Sequence, residues 1–291
     1  MTNAFPNPAP LITADALAAE LGAPDLRIFD CTTFLTPTPD NGGLIVGSGR
    51  DGYETGHIPG AAFLDLANEL SDTTSPYRFA VLEPEAFAAA AGKLGIGEGT
   101  RVVLYDRTYG AWGARVWWML RGYGFDHARV LDGGFTNWSK KGLPVETENR
   151  AYPAARFTAR PRPRHFVGKD EVRDALGTDV GIVNALLPEQ HSGKGGVHYG
   201  RPGRIPGSCN ISSRGIVDPD TQVLLPVDEL RRRFDEAGLL DGRRVIAYCG
   251  GGIAASLTAL ALTALGADDV GVYMNSMQEW TKDPSLPLEV G

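Results

Sequence analysis

Residues 82–106 read LEPEAFAAAAGKLGIGEGTRVVLYD, and residues 225–249 read LPVDELRRRFDEAGLLDGRRVIAYC. Set 143 positions apart, they share Leu82 with Leu225, Gly95 with Gly238, Gly99 with Gly242, Arg101 with Arg244, Val102 with Val245 and Tyr105 with Tyr248. Working outward, GHIPGA at 56–61 echoes GRIPGS at 203–208, and RIFDCT at 27–32 echoes GIVNAL at 181–186. Downstream, LDGGFTNW at 131–138 echoes YMNSMQEW at 273–280. Four blocks recur in one order, with offsets that drift only between 142 and 154 positions. The chain is therefore read as one fold written twice.

Each copy has the same plan. A short β-branched run (Leu26–Phe29; Val180–Val183) leads into a Gly/Pro-rich loop that closes with GxIPG, where Gly and Pro set a turn. An amphipathic helix follows. In the second copy Val227, Leu230 and Phe234 share one face, with Asp228 and Glu229 near the start. A buried strand (Val102–Tyr105; Val245–Tyr248), a second helix and a last strand (Ala128–Leu131; Val270–Tyr273) complete it. Strands alternating with helices predict an α/β fold, with a parallel sheet flanked by helices in each copy. Ligands of such sheets sit beyond the carboxyl ends of the strands. The expected division is 10–150, a linker over 151–166 with three prolines and five Arg or His residues, and 167–291. A solvated connector is expected of that linker, rather than a basic binding arm.

Composition narrows the function. The 291 residues hold 37 glycines, about 13% against a typical ~7%, without the period of collagen. The net charge of −7 argues against nucleic acid as the main partner. Three cysteines, with no CxxC, suggest neither a disulfide framework nor a zinc site, so no metal is expected. The amino-terminal stretch lacks a basic segment followed by an apolar run, and a cytoplasmic, reducing location is expected. Val245–Ala267 carries no charge, but its glycines divide it into strand, tight loop and buried helix rather than a membrane span.

The copies differ most tellingly after the matched strand. The first continues Tyr105-Asp106-Arg107; the second continues Tyr248-Cys249-Gly250-Gly251-Gly252, with a helix starting near Ile253. Three glycines let backbone N–H groups converge on one point without side chains blocking the approach. The helix start adds partial positive charge. A sulfur at that centre is stabilised as thiolate, which makes Cys249 a candidate nucleophile. The plain structural reading is a buried cysteine beside a tight turn. Cys31 and Cys209 have no such cradle, and His57 reads as a hydrogen-bonding turn residue.

These residues resemble the tandem rhodanese-domain sulfurtransferases. The resemblance rests on Gly56–Ala61, Val103–Asp106, Trp117–Arg121 and Leu131–Trp138, then on the echo Gly203–Ser208 and on Cys249–Ala254, in that order over roughly residues 10–285. It implies two rhodanese-like domains, the first silent because Asp106 stands where the cysteine would be. It also implies an active site near their interface. By the same resemblance Cys249 attacks the outer sulfur of a small-molecule donor, thiosulfate or 3-mercaptopyruvate. The persulfide is held by the N–H groups of Gly250, Gly251, Gly252, Ile253, Ala254 and Ala255. The sulfur then passes to cyanide, a small thiol or a thioredoxin-like acceptor. No cofactor is implied, and neither a nucleic acid nor a membrane is an expected partner.

Against the family pattern, the loop lacks the Arg and Lys of thiosulfate-type members and the Ser and Thr of mercaptopyruvate-type loops. The usual Asp-x-Arg is Asn184-Ala185-Leu186. Arg201, Arg204, His198 and Lys194, in the approach to the second GxIPG, are the candidates to supply the missing charge. Thr33 and Phe34, after the first strand, are candidates to reach across the interface. Two other readings are a non-catalytic rhodanese-like binding or regulatory module and a cysteine phosphatase. The second needs an Arg at the end of the loop, where Ile253-Ala254-Ala255-Ser256 has none.

Overall fold

The structure is a computed structural model that describes residues 4–7, 9–39 and 43–291. It contains two five-stranded, all-parallel sheets. Across the first run Leu11–Ile12, Ala128–Leu131, Arg101–Tyr105, Leu26–Asp30 and Ala61–Phe63. Across the second run Phe166–Val167, Val270–Tyr273, Val245–Tyr248, Gly181–Asn184 and Cys209–Asn210. The strand order is the same in both, so the duplication seen in the sequence is a duplication of topology. An antiparallel hairpin, Thr33–Pro37 with Leu44–Ser48, belongs to the first repeat.

The shared residues meet one another in each copy. The Ile58 N–H donates to the Tyr105 hydroxyl at 3.4 Å, and the Ile205 N–H to Tyr248 at 3.0 Å. Each GxIPG turn is thus docked on the tyrosine that ends the central strand. Trp138 and Trp280 are both fully buried, and their indole N–H groups donate to Pro144 and Pro287 carbonyls at 2.7 and 2.9 Å.

Period-two alternation along the central strands divides the core. Val102 and Leu104, with Val245 and Ala247, face a single apolar cluster that runs through both repeats. Val103 and Tyr105 face a separate cluster on the outer side of the first sheet. Ile246 and Tyr248 do so in the second. Cys249 keeps the parity of Val245 and Ala247, so the strand itself turns the sulfur toward the other repeat. At the centre the helices Ala111–Gly122 and Ile253–Ala264 pack against each other. Every residue of the second is buried, which explains its charge-free composition: it has a sheet on one side and the other repeat on the other.

Residues 151–165 are mostly exposed, but they are not a free connector. They run extended along the first repeat. The Ala155 N–H donates to Gly92, the Arg160 N–H to Tyr123 and the Arg162 N–H to Gly122, all at 2.8–2.9 Å. The Tyr152 hydroxyl donates to the Gly60 carbonyl at 2.5 Å. Gly92 and Gly97 admit this close approach: a methyl group at either would stand within 2.7 Å of a carbonyl oxygen of the strap.

Candidate active site

Cys249 lies at the carboxyl end of its strand, in the floor of a cleft of about 340 Å³ between the repeats. That volume is in the range of small-molecule sites. The thiol is buried, 2% exposed, and its Sγ accepts the Gly252 N–H at 3.1 Å. Gly252 caps the helix in the left-handed conformation at φ +79°. This turns its N–H back onto the sulfur and brings the unpaired N–H groups of the first helical turn around the same point.

The last short helix, Ser276–Trp280, holds the loop from behind. The Cys249 N–H donates to the Ser276 hydroxyl at 3.0 Å. The carbonyls of Cys249 and Gly250 accept from Met277 and Gln278 at 3.1 and 2.9 Å.

The first repeat shows what this cradle does when filled. The Asp106 carboxylate accepts four backbone N–H groups, from Thr108, Gly110, Trp112 and Gly113, at 2.8–3.1 Å, and the Thr108 hydroxyl at 2.7 Å. Gly110, at φ +87°, plays the part of Gly252. Arg107 does not pair with Asp106. It reaches Asp30 at 3.0 Å and stacks over Phe135.

Both repeats wall the cleft. Thr33 and Phe34 line it, as do Gly250, Gly251, Ile253 and Ala254. Gly252 and Ala255 lie just behind, in the cap and first turn. The expected role of the four basic residues gives way. Arg201 staples the chain end, donating to the carbonyls of Thr281, Asp283 and Leu286 at 2.7–3.0 Å. Arg204 pairs with Glu289 at 3.2 Å and with the Gly291 carbonyl at 2.7 Å. Lys194 and His198 do not line the cleft, although Val197 and Tyr199 do.

The cations at the cleft are Arg78, from the first repeat, and Arg214, from the second. Both are exposed, and neither is ion-paired among the described residues. Arg214 lies over the Tyr109 ring at 4.5 Å. The Arg78 backbone is clamped by the Gln278 side-chain amide at 2.9 and 3.1 Å, which ties the repeats together at the mouth. Tyr109 and Tyr199 flank the sulfur. Burial pushes the Tyr109 phenol up to about 12 and Tyr199 higher still, so both are neutral hydrogen-bond donors.

Sequence reasoning missed these four because they lie in irregular loops, where no periodicity marks an inward side chain. The other two cysteines do not line the cleft. Cys31 is fully buried and Cys209 partly so, and desolvation pushes Cys209 up to about 11 and Cys31 well above the ordinary thiol range.

The model of the rhodanese-like domain matches residues 13–141 and again residues 170–283. The chain belongs to the rhodanese family. It is 32% identical to the human 3-mercaptopyruvate sulfurtransferase over 92% of this chain and 89% of that one. It is 30% identical to the 3-mercaptopyruvate sulfurtransferase of Escherichia coli K12 over 96% and 97%. The crystal structure of SseA from Escherichia coli, a 3-mercaptopyruvate sulfotransferase by its description, superposes with a TM-score of 0.80. It is 29% identical and covers 92% of this chain and 98% of its own. This rhodanese chain is an enzyme of the sulfurtransferase class, a reading favoured over the binding-module and phosphatase alternatives. No helix among the described residues is long and apolar enough to cross a membrane.

Proposed function

We propose that Cys249 carries the transferred sulfur as a persulfide and that 3-mercaptopyruvate is the preferred donor, with thiosulfate used more weakly. The observation that carries this reading is the Cys249 sulfur at the cleft floor, accepting the Gly252 N–H at 3.1 Å at the start of a buried helix. The thiolate attacks the sulfur of the donor. A new S–S bond forms, the donor C–S bond breaks, and the enolate of pyruvate leaves with the electron pair and takes up a proton. With thiosulfate the S–S bond to the sulfonate breaks and sulfite leaves. The anionic persulfide is held by the N–H groups of the Gly250–Ala255 loop and helix start. A nucleophilic acceptor, cyanide, a small thiol or a thioredoxin-like thiol, then takes the outer sulfur and releases the thiolate. A reducing, cytoplasmic setting suits this cycle.

Arg78 and Arg214 are the groups we assign to the donor carboxylate, since they are the cleft's cations. A loop without Arg or Lys favours a donor whose second charge is distant from the sulfur over the compact thiosulfate dianion. The first repeat, 10–150, is silent because Asp106 occupies its own cradle.

The test is intact-mass measurement of reduced protein given 3-mercaptopyruvate or thiosulfate. The expected result is a gain of about 32 Da, one sulfur atom, mapped to Cys249 and absent from Cys249→Ser, with kcat/KM higher for 3-mercaptopyruvate. No gain with either donor overturns the persulfide reading; a preference for thiosulfate overturns the donor assignment.

A further inference from the structure

Arg115 stands in the middle of the helix Ala111–Gly122 of the first repeat and is fully buried. Its guanidinium reaches out of its own repeat. Nη1 lies 3.3 Å from the Met274 sulfur, Nη2 donates to the Phe79 carbonyl, and Nε has no partner among the described residues. A methyl group on Gly252 would stand 2.4 Å from Nη1. The cation is therefore pressed against the residue whose N–H donates to Cys249.

A buried charge without an opposite charge is strongly unfavourable. The acidic groups that act on Arg115 are Cys249 and Tyr123, and no carboxylate is among them. Burial holds the Tyr123 phenol neutral, pushed up to about 12. Desolvation pulls Arg115 down to about 10, opposed by Cys249, so the guanidinium is still a cation at neutral pH. The other titratable groups facing Cys249 are the neutral phenols of Tyr109 and Tyr199; Arg214 and Arg78 stand beyond them at the mouth.

We propose that Arg115, supplied by the silent repeat, is the counter-charge of the Cys249 thiolate and persulfide, acting from beneath the loop through Gly252 in place of the cations the loop lacks. It is a positioning residue: it touches the loop backbone, not the donor. The inference rests on Cys249 being the reactive thiolate, and its test does not require sulfur transfer.

The experiment is the pH dependence of iodoacetamide alkylation, read on the Cys249 peptide by mass spectrometry. Wild type is compared with Arg115→Lys and Arg115→Gln, with thermal melts as a control of folding. The expected result for Arg115→Gln is a profile displaced to higher pH by about one unit or more, with neutral-pH alkylation slowed about tenfold. Arg115→Lys, which keeps the charge, recovers most of both. Folded Lys and Gln variants that behave alike, or a Gln profile coincident with wild type, overturn the proposal. If neither variant folds, the stabilities of wild type and Cys249→Ser are compared from pH 6 to 9. Wild type should gain on the serine variant as the thiolate forms beside Arg115, and no gain overturns the proposal. Persulfide formation with an unmoved profile sinks this inference alone. Absent persulfide with a displaced profile sinks only the proposed reaction.

Discussion

At Gly250 a single methyl group would decide the shape of the site. A Cβ there would stand 1.9 Å from Cζ of Tyr199 and 2.2 Å from its hydroxyl oxygen. The backbone of Gly250 is not left-handed, so alanine is conformationally acceptable, and the obstacle is the far end of a side chain that can swing away. Gly250→Ala should therefore fold with a loss of no more than about 1 kcal/mol. The displaced phenol should lower kcat/KM at least about tenfold. Steady-state kinetics alongside urea unfolding checks both, and an unchanged kcat/KM would show that the ring has no part in the reaction. The glycine cradle was legible because the repeat singles out Cys249 against Asp106 and the spacing of glycines has a direct geometric meaning. Tyr199 was not, since a phenol in a glycine-rich loop carries no directional signal. Arg115 did leave a trace, as the lone charge between Ala111 and Leu120, in a helix whose other charge, Arg121, lies in its last turn.

The helix Ile253–Ala264 is the element on which loop, core and interface depend. It is buried on all sides, and most of its side chains have no polar needs. Ser256 and Thr263 satisfy theirs by donating to the Gly252 and Ala259 carbonyls at 2.7 and 2.8 Å. Thr258 does not: its hydroxyl is buried and has no partner among the described residues. Replacing it by the isosteric valine removes an unsatisfied polar group without opening a cavity. Thr258→Val should raise stability by about 1 kcal/mol, read as a higher urea midpoint with an unchanged slope. A lower midpoint would show that the hydroxyl is satisfied in the native protein. The strand, loop and helix of this region are where the sequence placed them, since glycine interrupts the apolar run at Gly250–Gly252. The sequence could not say that the helix packs on its counterpart, Ala111–Gly122. That contact is long-range, and both helices read simply as apolar.

Across the whole molecule the apolar cluster containing Phe87, Trp118, Phe234 and Leu260 is continuous through both repeats. Separating the repeats would expose it. Full-length protein should therefore unfold in one transition, coincident by tryptophan fluorescence and circular dichroism. The junction also gives that transition a pH dependence. His165 stacks on Trp118 at 3.8 Å, donates from Nε2 to the Trp118 carbonyl at 2.9 Å, and leads directly into the second sheet. Burial lowers its basicity to about 3, with Arg121 and Arg162 adding repulsion and Asp126 opposing. A depressed folded-state value means that the unfolded chain takes up the proton first. The contribution is complete above about pH 6.5 and drains away as pH falls toward 3, amounting to the order of 3 kcal/mol by pH 4. Melts of wild type and His165→Gln between pH 4 and 8 should converge as pH falls. Parallel curves would mean that the imidazole is not held neutral.

Asp106 carries a consequence for stoichiometry. Its carboxylate is a covalently tethered guest in the first nest, engaging Thr108, Gly110, Trp112 and Gly113 at once. A free anion offered to the protein finds that seat permanently taken. Although the chain is built from two like halves, sulfite or another small anion competing for a cradle should saturate at one equivalent per chain.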